Sequence, residues 1–399
     1  MIQPNQHIER LILILVFSMY FFPAIRVSEN LILRFDDFVI LGMLPLILVY
    51  NPVAMINKLS GSIIWSIAII ILSTGYGYMF LNVPFSTRDI NEIIRFTKPL
   101  LFIVILSSCD SSFLLNRTLA FVAPLSWLLI GLGFLQYFNI GGLGVLQASF
   151  YAPANHVQNI IGSGRRIVLV GSDPNVGAAI VMMFFLLNFF KGLLYKNFQA
   201  IVLTFLLVIM ILMTSSRTNF LALGGIVIIF VFTSKSIKVL PKLLMATLMI
   251  GLVGILIQEF KYIAVGFVMA FEGENTSVLH RFDKWIIAWN YFTQSPFIGW
   301  GLAKATMETT VDGEYFLLLR RFGVIGTMII CGSIYLMPFW KQKYKLKTRK
   351  QLLLESTVQY YTIVIFFVMI TNSFFSGYQL FLPYVFLSVV LYKERLKDV

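Results

Sequence analysis

The sequence predicts an all-α polytopic membrane protein, and three observations carry that prediction. Of its 399 residues, 58% are hydrophobic and only 12% are charged, whereas soluble globular chains run at roughly 45–50% and about 25%. Too little polar side chain remains to cover two or three soluble domains. The 38 Phe, 17 Tyr and 6 Trp exclude a disordered chain, because so much aromatic surface does not stay unpacked in water. Apolar runs near the length that crosses a bilayer, about 20 residues, recur from one end of the chain to the other.

These runs fall near 11–25, 37–56, 62–81, 98–109, 118–138, 174–195, 198–214, 218–234, 243–260, 315–338, 357–372 and 378–392, which predicts about 12 transmembrane helices in a single integral membrane domain, 1–399. The first run leads into Pro23-Ala24-Ile25-Arg26 without a small-x-small cleavage site, so it reads as an uncleaved span. Two long connections stand out, 139–173 and 261–314, and the others are short. Basic residues gather on the cytoplasmic side of a membrane. Placing the cluster Lys341, Lys343, Lys345, Lys347, Arg349 and Lys350 inside makes both termini cytoplasmic and both long loops external. Lys191, Lys196, Lys235, Lys238, Lys242, Lys393, Arg395 and Lys397 then fall inside as well.

On this map 13 Lys and 4 Arg lie inside, against 4 Lys and 10 Arg outside, out of 31 basic residues. The net charge of +13 follows from topology, so no nucleic-acid partner is expected. Topology needs only positive charge, whereas the planar fork of Arg matches phosphate and carboxylate oxygens in pairs. The external face therefore reads as built to hold anions. Cys109 and Cys331 are far apart, and His7, His156 and His280 are scattered, so neither a disulfide framework nor a His/Cys metal site is expected. No internal repeat is evident, which weighs against a transporter made of related halves.

Four external stretches carry candidate chemistry. Gly162-Ser163-Gly164-Arg165-Arg166 precedes Gly171-Ser172-Asp173-Pro174-Asn175. Asp173 and Pro174 make a helix start, with Asp as N-cap and Pro in the first turn; Arg165 and Arg166 serve either as interfacial anchors or as anion ligands. Thr214-Ser215-Ser216-Arg217-Thr218-Asn219 forms a tight hairpin between apolar spans, and an Arg at that depth snorkels to lipid phosphate or finds a partner. His280 to Phe292 is amphipathic, with Trp285, Trp289 and Phe292 on one face and Arg281 one turn ahead, and reads as an interfacial helix ended by Ser295-Pro296 before Gly299-Trp300-Gly301. Asp312-Gly313-Glu314-Tyr315 runs into Leu319-Arg320-Arg321-Phe322-Gly323. Glu314 and Arg321 are two turns apart on one helix face, so they form either a structural network between spans or part of a cavity.

In this order the four stretches resemble the O-antigen polymerase (Wzy) family and its relative, the O-antigen ligase family. Arg166 to Gly177 fits the Arg-x10-Gly spacing that some polymerases carry. Ser216-Arg217-Thr218, Arg281…Trp285…Pro296…Gly299-Trp300-Gly301, and Asp312-Gly313-Glu314-Tyr315…Arg321-Phe322-Gly323-Val324-Ile325-Gly326 complete the likeness. A second Arg-x10-Gly is absent, since residue 292 is Phe. Ligases typically place a His where this chain has Asp312 to Tyr315, which favours polymerase.

The resemblance implies a GT-C-like glycosyltransferase of the bacterial inner membrane with two large periplasmic loops, working without metal or cofactor. Its donor would be a growing glycan on undecaprenyl diphosphate and its acceptor a lipid-linked repeat unit. A chain-length regulator protein would be its partner. Arginines would then hold the diphosphates, with Arg165, Arg166, Arg217, Arg281 and Arg321 as candidates and Arg217 nearest the chemistry. Asp312 or Glu314 would be the general base, with His156 in reserve and Tyr315 and Arg320 as further substrate contacts. Two other readings compete: a ligase that moves finished glycan from undecaprenyl diphosphate to lipid A core, and a lipid-linked sugar flippase or transporter.

Overall fold

In lipid an apolar segment must pair its own backbone donors and acceptors, which makes the helix its default form. The computed structural model follows this rule over the residues it describes: 4–26, 32–50, 58–107, 109–161, 166–233, 276–307, 311–335, 348–375 and 378–396, with a few single positions between 234 and 275. Its helices are α1 (Pro4–Phe21), α2 (Phe35–Tyr50), α3 (Lys58–Phe80), α4 (Thr87–Ser107), α5 (Ser111–Phe138), α6 (Leu143–Ser149), α7 (Ala154–Ile161), α8 (Pro174–Tyr195), α9 (Phe198–Met213), α10 (Arg217–Thr233), α11 (Thr276–Gln294), α12 (Glu314–Tyr335), α13 (Arg349–Val368) and α14 (Tyr378–Leu396).

Among the described residues, five helical stretches are long and apolar enough to cross a membrane: Ser60–Phe80, Ser111–Phe138, Pro174–Tyr195, Glu314–Ser333 and Arg349–Val368. Helices α9 and α10 are apolar but shorter. Every predicted span except 243–260 overlaps one of these helices; nearly all of 243–260, Arg165 and the lysines of 341–347 lie outside the described residues. One short ladder accompanies the helices. Strands β1 (Ala24–Arg26) and β2 (Ile32–Arg34) pair antiparallel, Ala24 opposite Arg34, in the connection from α1 to α2. The ladder pairs backbone groups that the chain reversal would otherwise leave open.

The chain divides into two compact units. Unit one comprises Met1–Phe121, Arg281–Gln359 and Met369–Val399; unit two comprises Val122–His280 and Tyr360–Val368. In unit one α3 packs along α12 and α4, α4 also meets α2 and α14, and α1 lies against α2 and α14. Stacked rings seal the contacts of α4, Phe96 on Phe375 at 4.6 Å and Phe102 on Phe386 at 6.1 Å. One end of this unit is a polar cap. The Lys393 ammonium donates to the carbonyls of Leu106 at 3.0 Å, Ser107 at 2.8 Å and Cys109, pairing oxygens that the end of α4 cannot satisfy itself.

In unit two the hairpin of α8 and α9 is built by residue type. Asp173 caps α8 by accepting from the amides of Asn175 and Val176, with Pro174 following it as the sequence predicts. Lys196 takes the left-handed conformation at φ 51°, and Asn197 then caps α9 by accepting from Ala200 at 2.8 Å. Helix α10 packs on α8. Buried amides tie the apolar helices together: the Asn188 amide donates to the Ser126 hydroxyl of α5 at 2.8 Å, which satisfies polar groups that lipid cannot.

Candidate functional site

Each unit holds an irregular stretch of backbone, and each stretch meets arginines that the sequence singles out. In unit two the stretch is 166–170, the end of the first long loop. It is not a solvent-facing connection: Ile167, Val168, Leu169 and Val170 are fully buried. The Ile167 amide donates to the Met213 carbonyl at 3.2 Å, and Nε of the half-buried Arg166 donates to the Thr214 carbonyl at 3.2 Å. The Arg-x10-Gly spacing has a steric meaning here. A Cβ on Gly177 would overlap the Val168 carbonyl oxygen, so only glycine lets the first turn of α8 close on the stretch.

The turn Thr214–Ser216 leads directly into α10, whose first residue is Arg217. Thr214, Ser215, Ser216 and Asn219 are all buried. The Ser216 hydroxyl donates to Asn175 Oδ1 at 2.7 Å, and Asn219 Nδ2 donates to the Asn175 carbonyl at 3.0 Å and to Ser216 Oγ at 2.9 Å. These bonds lock the N-terminal ends of α8 and α10 side by side. Arg217, half-buried, is thereby fixed at the positive end of a helix dipole, a position that disfavours a cation and suits an anion beside it. His156 lies on α7, whose Val157 and Ile160 pack with Val168.

In unit one Arg281 and Asp312 form an ion pair, Nε to Oδ2 at 3.5 Å, with 46% of the Asp312 side chain exposed. The Trp285 indole donates to the Asp312 carbonyl and stacks on Phe316 at 5.0 Å. Gly313, at φ 124°, passes so close to Trp285 and the Ile370 carbonyl that a Cβ would overlap both. Trp285, half-buried, and the fully buried Ala288 face the protein, while Trp289 remains exposed. The aromatic face of the predicted interfacial helix is therefore divided between protein and surroundings. Glu314 is buried; its Oε2 accepts from the Phe375 amide at 2.9 Å, and its own amide donates to Met369 at 2.8 Å. Tyr315, next to it, is half-buried.

The predicted tenth span is not one continuous helix. Gly323 breaks α12 at φ 60°, ψ −169°. Residues 296–301 fill the break. The Trp300 and Gly301 amides donate to the carbonyls of Arg320 and Arg321 at 3.0 and 2.7 Å, and the Val324 amide donates to Pro296 at 2.8 Å. The Arg321 guanidinium, buried, reaches Glu92 of α4 at 2.8 Å rather than closing a network on Glu314 alone. Lys304 pairs with the same Glu92. One turn earlier, Asp89 accepts from the Tyr78 hydroxyl at 2.8 Å and from the Lys304 amide at 3.1 Å. Burial and the Arg321 charge pull the Lys304 ammonium down to about 8, outweighing the opposite pull of Asp89. Arg320 is also buried.

Asp89, Glu92, Lys304 and Gln136 escaped the sequence reading. A signal existed for Asp89 and Glu92, two carboxylates three residues apart at the head of a helix whose second half is apolar, and for Gln136, an amide inside an apolar run. Among the described residues no group of three or more His, Cys, Asp or Glu is disposed to hold a metal ion.

An apolar helical chain with several helices long enough to cross a bilayer defines a class, a membrane protein. Residues 202–331 match the model of the O-antigen ligase family. The match runs from α9 into α12 and takes in Arg217, Arg281, Asp312, Glu314, Arg320 and Arg321. It supports the likeness to the O-antigen ligase and polymerase family. No curated protein matches the chain.

Proposed function

We propose that this protein is an O-antigen polymerase: a glycosyltransferase of the GT-C kind in the bacterial inner membrane that joins undecaprenyl-diphosphate-linked repeat units on the periplasmic face. One observation carries the reading. Within the stretch that matches the O-antigen ligase family, Arg217 opens α10 against the helix dipole, beside a turn whose carbonyl holds Arg166. A diphosphate placed at this helix start would accept hydrogen bonds from both guanidiniums.

In the reaction the acceptor hydroxyl oxygen attacks the anomeric carbon of the donor sugar. The bond from that carbon to the diphosphate oxygen breaks, the hydroxyl proton passes to a carboxylate base, and undecaprenyl diphosphate leaves with the bonding pair. Arginines stabilise the charge developing on the leaving group. Arg165, Arg166, Arg217 and Arg281 are the proposed diphosphate ligands; Arg321, buried on Glu92, takes the other role open to it and orients that carboxylate. Asp312 is a better base than Glu314, because its carboxylate is open to a hydroxyl while that of Glu314 is buried on the Phe375 amide. Asp312→Asn is expected to lower kcat by about 10²–10⁴, the usual worth of a general base, with thermal unfolding unchanged. His156, Tyr315 and Arg320 are proposed as further substrate contacts, and a chain-length regulator protein as a partner. Twelve spans, two periplasmic loops and cytoplasmic termini complete the layout.

The matched family model, described as O-antigen ligase, favours a second reading, transfer of finished glycan to lipid A core. A deletion strain separates the two. Loss of a polymerase leaves single repeat units on the core; loss of a ligase strands polymer on undecaprenyl diphosphate. Accumulation of neither, with lipid-linked repeats trapped on the cytoplasmic side, contradicts both.

A further inference from the structure

The buried stretch 166–170 is neither helix nor strand, and such a stretch among apolar helices must have its backbone groups satisfied by something. A side chain does it. Gln136, fully buried near the end of α5, accepts at Oε1 from the amides of Val168 at 2.9 Å and Leu169 at 2.8 Å. Its Nε2 donates to the Leu169 carbonyl at 2.8 Å and also reaches Gln147 of α6. Gln147 adds its own, longer bond to that carbonyl, at 3.2 Å.

The geometry is pointed at one residue. Leu169 sits at φ 56°, in the left-handed region that a leucine rarely adopts, and such strain persists only where the surroundings fix it from several sides. Gln136 brackets it at both amide and carbonyl. A primary amide is the side chain that offers an acceptor and a donor in the layout of a peptide group. Glutamate lacks the donor and leucine lacks both. The tight turn closed by Gly171 on Val168 at 2.9 Å, and the close pass of Gly177, follow from holding Leu169 there. At the other end of the stretch, three residues away, is Arg166.

We propose that Gln136 is a positioning residue for Arg166, clamping 166–170 in its strained path so that the Arg166 guanidinium stays at the turn before Arg217. The catalytic side of this inference rests on the function proposed above; the clamp itself does not, and the test has an arm for each.

The first arm uses full-length protein in liposomes with Cys109→Ser and Cys331→Ser, and follows maleimide labelling of a thiol introduced by Ile167→Cys. Gln136→Leu is expected to speed labelling roughly tenfold, the scale of opening expected when about one net buried hydrogen bond is lost. A thiol introduced by Leu203→Cys, equally buried in α9, should keep its slow rate. No change at 167, or an equal rise at 203, overturns the clamp. The second arm measures kcat/KM for a lipid-linked donor. Gln136→Leu should cost about tenfold, and in an Arg166→Ala background the further loss should shrink below about twofold. Gln147→Ala, which removes the longer bond to Leu169, should cost less than Gln136→Leu. Losses that multiply independently overturn the positioning role. A wild-type protein that transfers no glycan sinks the proposed function and leaves the first arm to decide the clamp.

Discussion

The two units solve one problem by different means. Both hold a length of non-helical backbone beside arginines that the sequence singles out. In unit two the stretch 166–170 is held by a side chain, Gln136, acting as a stand-in for a peptide group. In unit one the segment 296–301 is held by main chain, because breaking α12 at Gly323 frees the carbonyls of Arg320 and Arg321 for Trp300 and Gly301. The difference sets what each arginine sees. Arg166 is half-buried and bonded to a carbonyl, whereas Arg321 is deeply buried and bonded to a carboxylate. The first arrangement sets a guanidinium on a main-chain oxygen. The second holds a near-balanced set, Arg321 and Lys304 against Glu92 and Asp89.

The glycines give the sharpest way to break this comparison. Gly323→Ala meets two penalties, a left-handed φ and an overlap with the Phe297 backbone. It should cost roughly 3–5 kcal/mol in thermal unfolding and abolish accumulation of folded protein. Gly177→Ala in the helical α8 meets only the overlap with Val168, and about 1–3 kcal/mol is expected. Equal losses at the two positions erase the distinction between a strained break and a close pass.

The charged cluster sharpens the comparison further. Glu92→Leu strands Lys304 and Arg321 without their shared partner and should cost about 3 kcal/mol, while adding Arg321→Met should recover much of it. If the double variant is no better than the single, the cluster is not a balanced buried set. The smallest effect is a pH dependence. With Lys304 near 8 in the folded protein and 10.5 ordinarily, the unfolded chain binds more protons between those values. Stability therefore gains from Lys304 as pH rises from about 8 towards 10.5, and Lys304→Met should flatten that gain in unfolding curves taken across the window.

Local chemistry was legible in the sequence. The cap and first turn at Asp173-Pro174, the tight hairpin at Thr214–Ser216 and the helix ending before Ser295-Pro296 all follow from residue type and spacing. What did not read out depends on partners far along the chain. Glu92 and Arg321 are separated by 229 positions, and no periodicity links them. The break in α12 is invisible because Gly323 sits in an apolar run that reads as continuous helix, and it forms only when 296–301 supplies partners. Gln136 looked like one polar residue in a span until the stretch it holds was in place. Trp289 and Trp285 share a helical periodicity but not an environment.

The measurement that tests the account most directly is transfer by purified protein in liposomes supplied with lipid-linked repeat units on the outer face. The wild type is expected to build polymer and release undecaprenyl diphosphate with each new bond. Arg217→Ala, at equal protein and equal melting temperature, should slow both by about 10²-fold or more, the scale lost when one charge-stabilising donor is removed. Full polymer length at the wild-type rate from Arg217→Ala would contradict the account.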